Sequence, residues 1–426
     1  MIGRIVTVVL LTIGLVATQV MAAPATIPPG TKINAQNWQQ YKDFFPEGIQ
    51  VVLSGAHSIW RLPPDWEIDV GPTIDYPLPK SFLHASEKYG GQARLKKLDN
   101  GAYTIENYTA GIPFTDISGP DAAYKLLYDQ YYHYSGAMDY YQSDGYEIDR
   151  YGNKTSNLSY QVFLQFTHVS DPGFPGYAKE MPGYFVSYYD ELLVPEQSRY
   201  TSPLELIYDD PQRVPEFYVF LPSLRRALRL SSSARCAPYA GSDYVGDDIY
   251  GTPLPLGYFQ AKIVAEKNML LFRPEPGNRA QYDIEHNYYL PMMFPKPVIG
   301  KWMVFPAWVL DVQRVPSLAS GYCYGLRRMY LDKRNLGFAF TWTDLYDSSL
   351  KFWKLFAGWE SPEPVPHGDG YFLGVKGLNW MVDFQLGHAS FAMVGKDIFT
   401  LNENVPQQFR DVSRYGSPAG LSKILK

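Results

Sequence analysis

The sequence predicts a mainly β protein built on a curved antiparallel sheet, and three observations predict it. Aromatic residues are abundant, with 35 Tyr, 23 Phe and 9 Trp in 426 residues, and such side chains suit the pleated, half-buried surface of a strand. Gly 35 and Pro 34 cut the chain into the short segments that turns join. Helical spacing is sparse and early.

The C-terminal half reads as a meander. Residues 326–331, a turn at Asp332, Lys333, Arg334 and Asn335, then 336–346, a turn at Asp347, Ser348 and Ser349, and 350–359 give three strands with short connections. Further strands are expected at 371–375, 378–386 and 389–394, and upstream at 216–221, 258–265, 269–272 and 304–312. An antiparallel sheet of this size must curl or close to hide its edges and inner face.

Period-two alternation in 336–346 places Phe338, Phe340, Trp342 and Tyr346 on one side, with Gly337, Ala339, Thr341 and Thr343 on the other. Leu378, Trp380, Val382 and Phe384 continue the theme on a later strand. Two readings stay open. The aromatic side is a packed core, or it lines a cavity in a partly open barrel. On the second reading Phe338, Phe340, Trp342, Tyr346, Trp380, Val382 and Phe384 are the candidate ligand-binding residues.

Two helices are expected. Asn34 can cap a segment carrying Trp38, Tyr41 and Phe45, with Pro46, Glu47 and Gly48 as its stop. This short amphipathic element is a candidate lid over the aromatic side. The second, 121–132, aligns Tyr124, Leu127, Tyr128 and Tyr131. The tyrosines from Tyr131 to Tyr146 read as strand residues with cross-strand stacking, with partner contact as the alternative.

Residues 1–22 have the pattern of an export signal: Arg4, an apolar run 5–16, and Val20, Met21 and Ala22 as a cleavage site. The remainder, 23–426, is expected to be one elongated β-rich domain in the periplasm. The only cysteines are Cys236 and Cys323; neither can carry a lipoprotein acyl anchor at the processing site. An oxidising compartment predicts that they pair, the alternative being two buried thiols. The formal charge of −5 gives no electrostatic case for nucleic acid.

No Gly-x-Ser-x-Gly elbow, phosphate loop or dinucleotide fingerprint occurs. Histidines are scattered singly, without zinc-ligand spacing. Asp243, Asp247 and Asp248 follow Arg225, Arg226, Arg229 and Arg235 closely, which points to a surface ion-pair network. No catalytic residue, metal or cofactor is expected.

Several stretches carry a resemblance: Gly30-Thr31-Lys32-Ile33 with Gln40-Tyr41-Lys42-Asp43; Ala85 to Gln92 with Asn107 to Phe114; Arg235-Cys236-Ala237-Pro238-Tyr239; and Arg328 to Asp332. In this order they are similar to the bacterial envelope family known only as domain of unknown function 1329, which resembles the Lol-type outer-membrane lipoprotein carriers. The resemblance implies a half-open β-barrel of the lipoprotein-carrier type, short helices over its mouth and an apolar interior. It also implies an outer-membrane protein and a transporter of the resistance-nodulation-division (RND) type as partners. The expected function is a periplasmic carrier or chaperone for a hydrophobic or amphiphilic molecule such as a lipid. The alternatives are a non-carrying assembly protein and, third, a hydrolase.

Overall fold

A computed structural model describes residues 26–174, 176–249, 251–274, 283–335, 340–366, 369–373 and 377–424. The expected export signal and Phe338 lie outside the described residues, and so does the side chain of Phe340.

The frame is a 13-stranded antiparallel sheet. In chain order its strands are β1 (Met138–Ile148), β2 (Lys154–Gln165), β3 (Tyr184–Val194), β4 (Ser202–Tyr208), β5 (Glu216–Leu221) and β6 (Arg226–Arg229). After a long crossing follow β7 (Phe259–Pro274), β8 (Gly300–Arg314), β9 (Leu326–Asp332), β10 (Phe340–Tyr346), β11 (Phe352–Glu360), β12 (Gly377–Asp383) and β13 (His388–Leu401). The spatial order is 6-5-4-3-2-1-13-12-11-10-9-8-7. Each half is thus a plain meander, and the pairing of β13 with β1 welds the halves together. The free edges are β6 and β7, so the sheet is not closed.

The segments 258–265 and 269–272, read from sequence as two strands, are one long strand, β7. A bulge between Ile263 and Ala265 in its pairing with β8 breaks the alternation that would have shown its continuity.

Residues 230–258 run from one free edge to the other across one face of the sheet, and their ion pairs measure how far the sheet curls. Glu205 on β4 and Arg327 on β9 are eight strand steps apart, about 38 Å on a flat sheet at roughly 4.8 Å per step. Yet Arg235 lies 3.5 Å from Glu205 and donates to Asp247 at 2.7 Å, while the adjacent Asp248 accepts from Arg327 at 2.6 Å. A few side chains bridge the gap, so this face is the inside of a half-barrel. Helix α3 (Ala122–Tyr131) plugs the same interior. It packs in one cluster with Phe163, Phe185 and Ile207 on β2 to β4 and with Trp308, Leu310 and Met329 on β8 and β9.

The outer face is covered by the N-terminal segment: a 3-10 turn (Trp38–Phe44) and helix α1 (Glu47–Ser54). Pro46, Glu47 and Gly48, expected to stop a helix, begin this one instead. Proline lacks the N–H that a helix start leaves unsatisfied, and Glu47 sits in the first turn where a negative charge is favoured. Helix α2 (Lys80–Tyr89) follows in sequence, its Ser86 Oγ accepting the Ile112 N–H at 2.7 Å. Among the described residues no helix is long and apolar enough to cross a membrane.

Candidate functional site

Register decides which side chains face the interior. Trp342, Ala357, Trp380, Phe391 and Tyr146 form one row across β10, β11, β12, β13 and β1, and the next row is Thr343, Phe356, Met381, Ser390 and Glu147. Successive residues of a strand point to opposite sides. The first row belongs to the outer hydrophobic cluster with Trp38, Phe45 and Ile49. In the second, Ser390 meets Asp243 of the crossing segment and Phe356 meets its Tyr244. The mixed, partly polar side therefore faces the crossing segment, and the aromatic side is covered by the N-terminal segment and by Phe272 and Trp302 of β7 and β8.

The described candidate side chains, Trp342, Tyr346, Trp380, Val382 and Phe384, accordingly pack in this cluster or against it. Trp342 is 1% exposed, and Trp380 and Val382 are fully buried. Tyr346 is buried, with its hydroxyl on Glu47 at 2.5 Å, and Phe384 rests against Phe352 and His57. Trp38 and Phe45 are buried in the same cluster, with Tyr41 packed at its margin. The candidate lid thus covers the aromatic residues on the face opposite the interior.

One residue of this outer face escaped the sequence reading. Asp344 is fully buried between Trp342 and Tyr346. Its carboxylate accepts the Glu47 and Gly48 N–H groups at 2.9 and 3.0 Å and the Tyr330 hydroxyl at 2.8 Å. It caps α1 from the sheet. A lone acid at an apolar position of an alternating strand is the signal that could have found it.

Inside the half-barrel lies a cavity of about 350 Å³, lined by β1, β2, β3 with the residues that follow it, β11, β12, β13 and the crossing segment. The hydroxyls of Tyr141 and Tyr188 lie 2.6 Å apart, and the two with Gln161 Oε1 form one hydrogen-bonded group. Tyr239 donates to Asp190 Oδ2 at 2.6 Å, and Tyr244 stands edge-on to Phe356. Among the described residues, four buried polar atoms of the lining find no partner within hydrogen-bond distance: Glu147 Oε2, Asp190 Oδ1, Tyr244 OH and Asn379 Oδ1. Burial pushes Glu147 up to about 7 and Asp190 up to about 6. The sequence reading missed this site because its residues come from seven separate segments, none with a local motif.

A second cleft, of about 580 Å³, shares Ser242 with the first. Its wall includes Cys236 and Cys323, which are joined by a disulfide that ties the crossing segment to the approach to β9. Here Glu147, Asp243 and His388 bring donor atoms within 4.8 Å of one another. His388 Nδ1 and Ser390 Oγ both donate to Asp243 Oδ2, at 2.7 and 2.8 Å. The hydrogen bond to Asp243 raises the His388 pKa above its ordinary value. The arrangement is a charge-paired bracket joining sheet and crossing segment.

The acidic loop is also not the surface network expected. Asp247 and Asp248 are buried and pair with Arg235 and Arg327, whereas Arg229 pairs elsewhere, with Glu216. Burial follows from the crossing: a segment threaded through an interior must neutralise its charges there.

Comparison with known proteins places the chain. The family model described as "Protein of unknown function (DUF1329)" matches residues 32–415. The chain belongs to the DUF1329 family. Solved structures similar to it include a domain from Vibrio parahaemolyticus provisionally assigned to outer membrane lipoprotein sorting, 10% identical, covering 68% of this chain and 97% of that one, with a TM-score of 0.47. A DUF1329 family protein from Desulfovibrio piger is 12% identical, covering 69% and 98%, with a TM-score of 0.48. A LolA superfamily protein from Nitrosomonas europaea is 10% identical, covering 67% and 96%, with a TM-score of 0.40. No curated protein matches the sequence.

Proposed function

We propose that this DUF1329 member is a periplasmic carrier that holds an amphiphilic molecule inside the half-barrel, in the cavity between Tyr141, Asp190, Tyr244 and Asn379. One observation carries the reading: a cavity with aromatic walls is lined by buried polar atoms that find no partner among the described residues. Each such atom costs about 1 to 3 kcal/mol relative to a satisfied one. A ligand with a polar head and an apolar body offsets both deficits at once, satisfying the orphan atoms while burying apolar surface at roughly 25 cal/mol per Å². The volume falls within the roughly 300 to 1,000 Å³ of small-molecule sites.

The site proposed from sequence moves, on this reading, to the other face of the same strands. The outer aromatic cluster serves as the stiff wall against which the cavity is built. Transfer requires a donor and an acceptor of the cargo, and an outer-membrane protein and an RND-type transporter are the proposed pair.

Mass spectrometry of an organic extract, made from protein purified out of its native envelope, tests the reading together with uptake of an apolar fluorescent dye. Bound lipid-like material, or saturable uptake reduced by Phe356→Trp, supports the carrier. Repeatedly empty protein that takes up no dye would favour the non-carrying assembly role.

A further inference from the structure

Glu147, Asp243 and His388 come from β1, the crossing segment and β13, and they meet where that segment touches the sheet. Register places two of them together: Glu147 is the partner of Ser390 on the neighbouring strand, and His388 stands two residues before Ser390 on the same face. Asp243 is clamped onto this pair, its N–H donating to Ser390 Oγ at 2.7 Å and its carbonyl accepting from Lys354 Nζ at 2.8 Å. One carboxylate oxygen of each acid and one ring nitrogen of His388 all lie within 4.8 Å of one another. Among the described residues no other three histidine, cysteine or carboxylate donors gather so closely.

Both acids are held from behind, as metal ligands are. Ser390 Oγ donates to Asp243 Oδ2 at 2.8 Å, and Asn157 Nδ2 donates to Glu147 Oε1 at 3.4 Å. The other Glu147 oxygen, Oε2, is shielded from solvent and finds no hydrogen-bond partner among the described residues. It is an acceptor that a cation would satisfy. Lys354 does not fill that role, because its ammonium is engaged by the Asp243 carbonyl and lies 3.9 Å from Asp383. Asp243 is buried, yet it and His388 stand on the wall of the cleft of about 580 Å³, which gives an ion a way in.

We propose that Glu147, Asp243 and His388 bind a divalent transition-metal ion of the zinc class, which pins the crossing segment to the sheet and keeps one coordination position open to the cleft. The site is independent of the carrier reading. Two carboxylates offset the charge of a dication, and an imidazole nitrogen favours zinc and its neighbours over magnesium and calcium, which take oxygen donors. Bonds of about 2.0 to 2.2 Å in a tetrahedral site set donor atoms roughly 3.4 Å apart. The widest separation of 4.8 Å therefore has to contract by about 1.4 Å at most, a shift within the reach of side-chain rotation. His388 Nδ1 and Asp243 Oδ2, now 2.7 Å apart, have to open slightly. The metal takes the place of the proton between them, which leaves to solvent. Three protein ligands with a fourth position left to water make an accessible site rather than a sealed one.

Calorimetric titration of the full chain, stripped with a chelator and dialysed, against Zn²⁺, Ca²⁺ and Mg²⁺ tests the proposal. One Zn²⁺ per chain is expected, with a Kd of about 1 μM or tighter, and Ca²⁺ and Mg²⁺ at least about a hundredfold weaker. His388→Gln, which keeps a hydrogen-bond donor for Asp243, should weaken Zn²⁺ at least about tenfold while circular dichroism and melting temperature of the metal-free protein stay near wild type. Glu147→Gln should do the same if the first variant folds poorly. No Zn²⁺ binding up to about 100 μM, Ca²⁺ affinity equal to that for Zn²⁺, or Zn²⁺ affinity unchanged in a folded variant would overturn the proposal and leave the three side chains as a hydrogen-bonded bracket. Each of these outcomes leaves the carrier reading to its own test, the uptake of lipid-like material.

Discussion

Asp344 and Gly48 lie 296 residues apart in sequence and are joined by a 3.0 Å hydrogen bond, from the Gly48 N–H to Asp344 Oδ1, in the buried outer face of the sheet. The approach is so close that a Cβ on Gly48 would lie 2.8 Å from that oxygen and 2.7 Å from the Leu355 Cβ. A carboxylate from the C-terminal meander thus holds the first turn of α1, and through it the N-terminal cover, against the aromatic core.

Asp344→Ala is expected to cost about 2 to 4 kcal/mol in urea denaturation, because it strands the Glu47 and Gly48 N–H groups and the Tyr330 hydroxyl without an acceptor. A loss below about 1 kcal/mol would mean that the cap is incidental. Gly48→Ala should destabilise as well, by overpacking rather than by lost hydrogen bonds.

Stability should fall as pH rises from about 4 to about 7. Burial pushes the Asp344 carboxyl from 3.8 up to about 7, so between about pH 4 and pH 7 the folded state keeps a proton that the unfolded state has lost. More protons bound in the folded state means stability decreasing with pH. Glu205, also pushed up to about 7 by burial, acts in the same sense. Melting temperatures of wild type and Asp344→Asn across pH 4 to 8 check this; the variant's slope should be shallower, and identical slopes would refute the assignment.

The Cys236–Cys323 bridge closes a separation of 87 residues, for which the chain-entropy model gives about 4 to 5 kcal/mol. The double variant Cys236→Ser/Cys323→Ser should lose stability on that order. Non-reducing peptide maps of exported protein should contain the two cysteine peptides joined. Free thiols there would contradict the bridge.

The two faces of the sheet should answer differently to mutation. Trp342→Ala is expected to cost roughly 3 to 5 kcal/mol and to leave ligand binding unchanged. Asn379→Leu, on the interior face, removes an unpaired buried acceptor, so its stability cost should be small while head-group preference shifts. The reverse pattern would return the binding site to the aromatic face.

Much of the frame was legible because it is local. Alternation in 340–346 determines that Trp342 and Thr343 point to opposite sides, and turns at Asp347 and Gly387 determine where the meander reverses. The strands of the tyrosine-rich first half were harder to read, since 138–165 mixes Tyr, Ser, Asp and Gln on both sides, giving no clean apolar period.

What the sequence by itself determined is the composition of each face; which face became the interior was decided only in three dimensions. A strand's pleat specifies two sides but not the sense in which a sheet of thirteen strands curls, and that sense depends on what each side must cover. Here residues 230–258 carry Arg235, Asp247 and Asp248 across the sheet; Arg235 pairs with Asp247 and reaches Glu205, and Asp248 pairs with Arg327, eight strand steps from Glu205. Pairing them draws the sheet around its mixed face. The aromatic side, with Trp342 and Trp380, lies on the other face and is buried by the N-terminal segment that Asp344 holds in place. Long-range charge pairing and the order of threading are invisible to any local period, and they made the polar cavity.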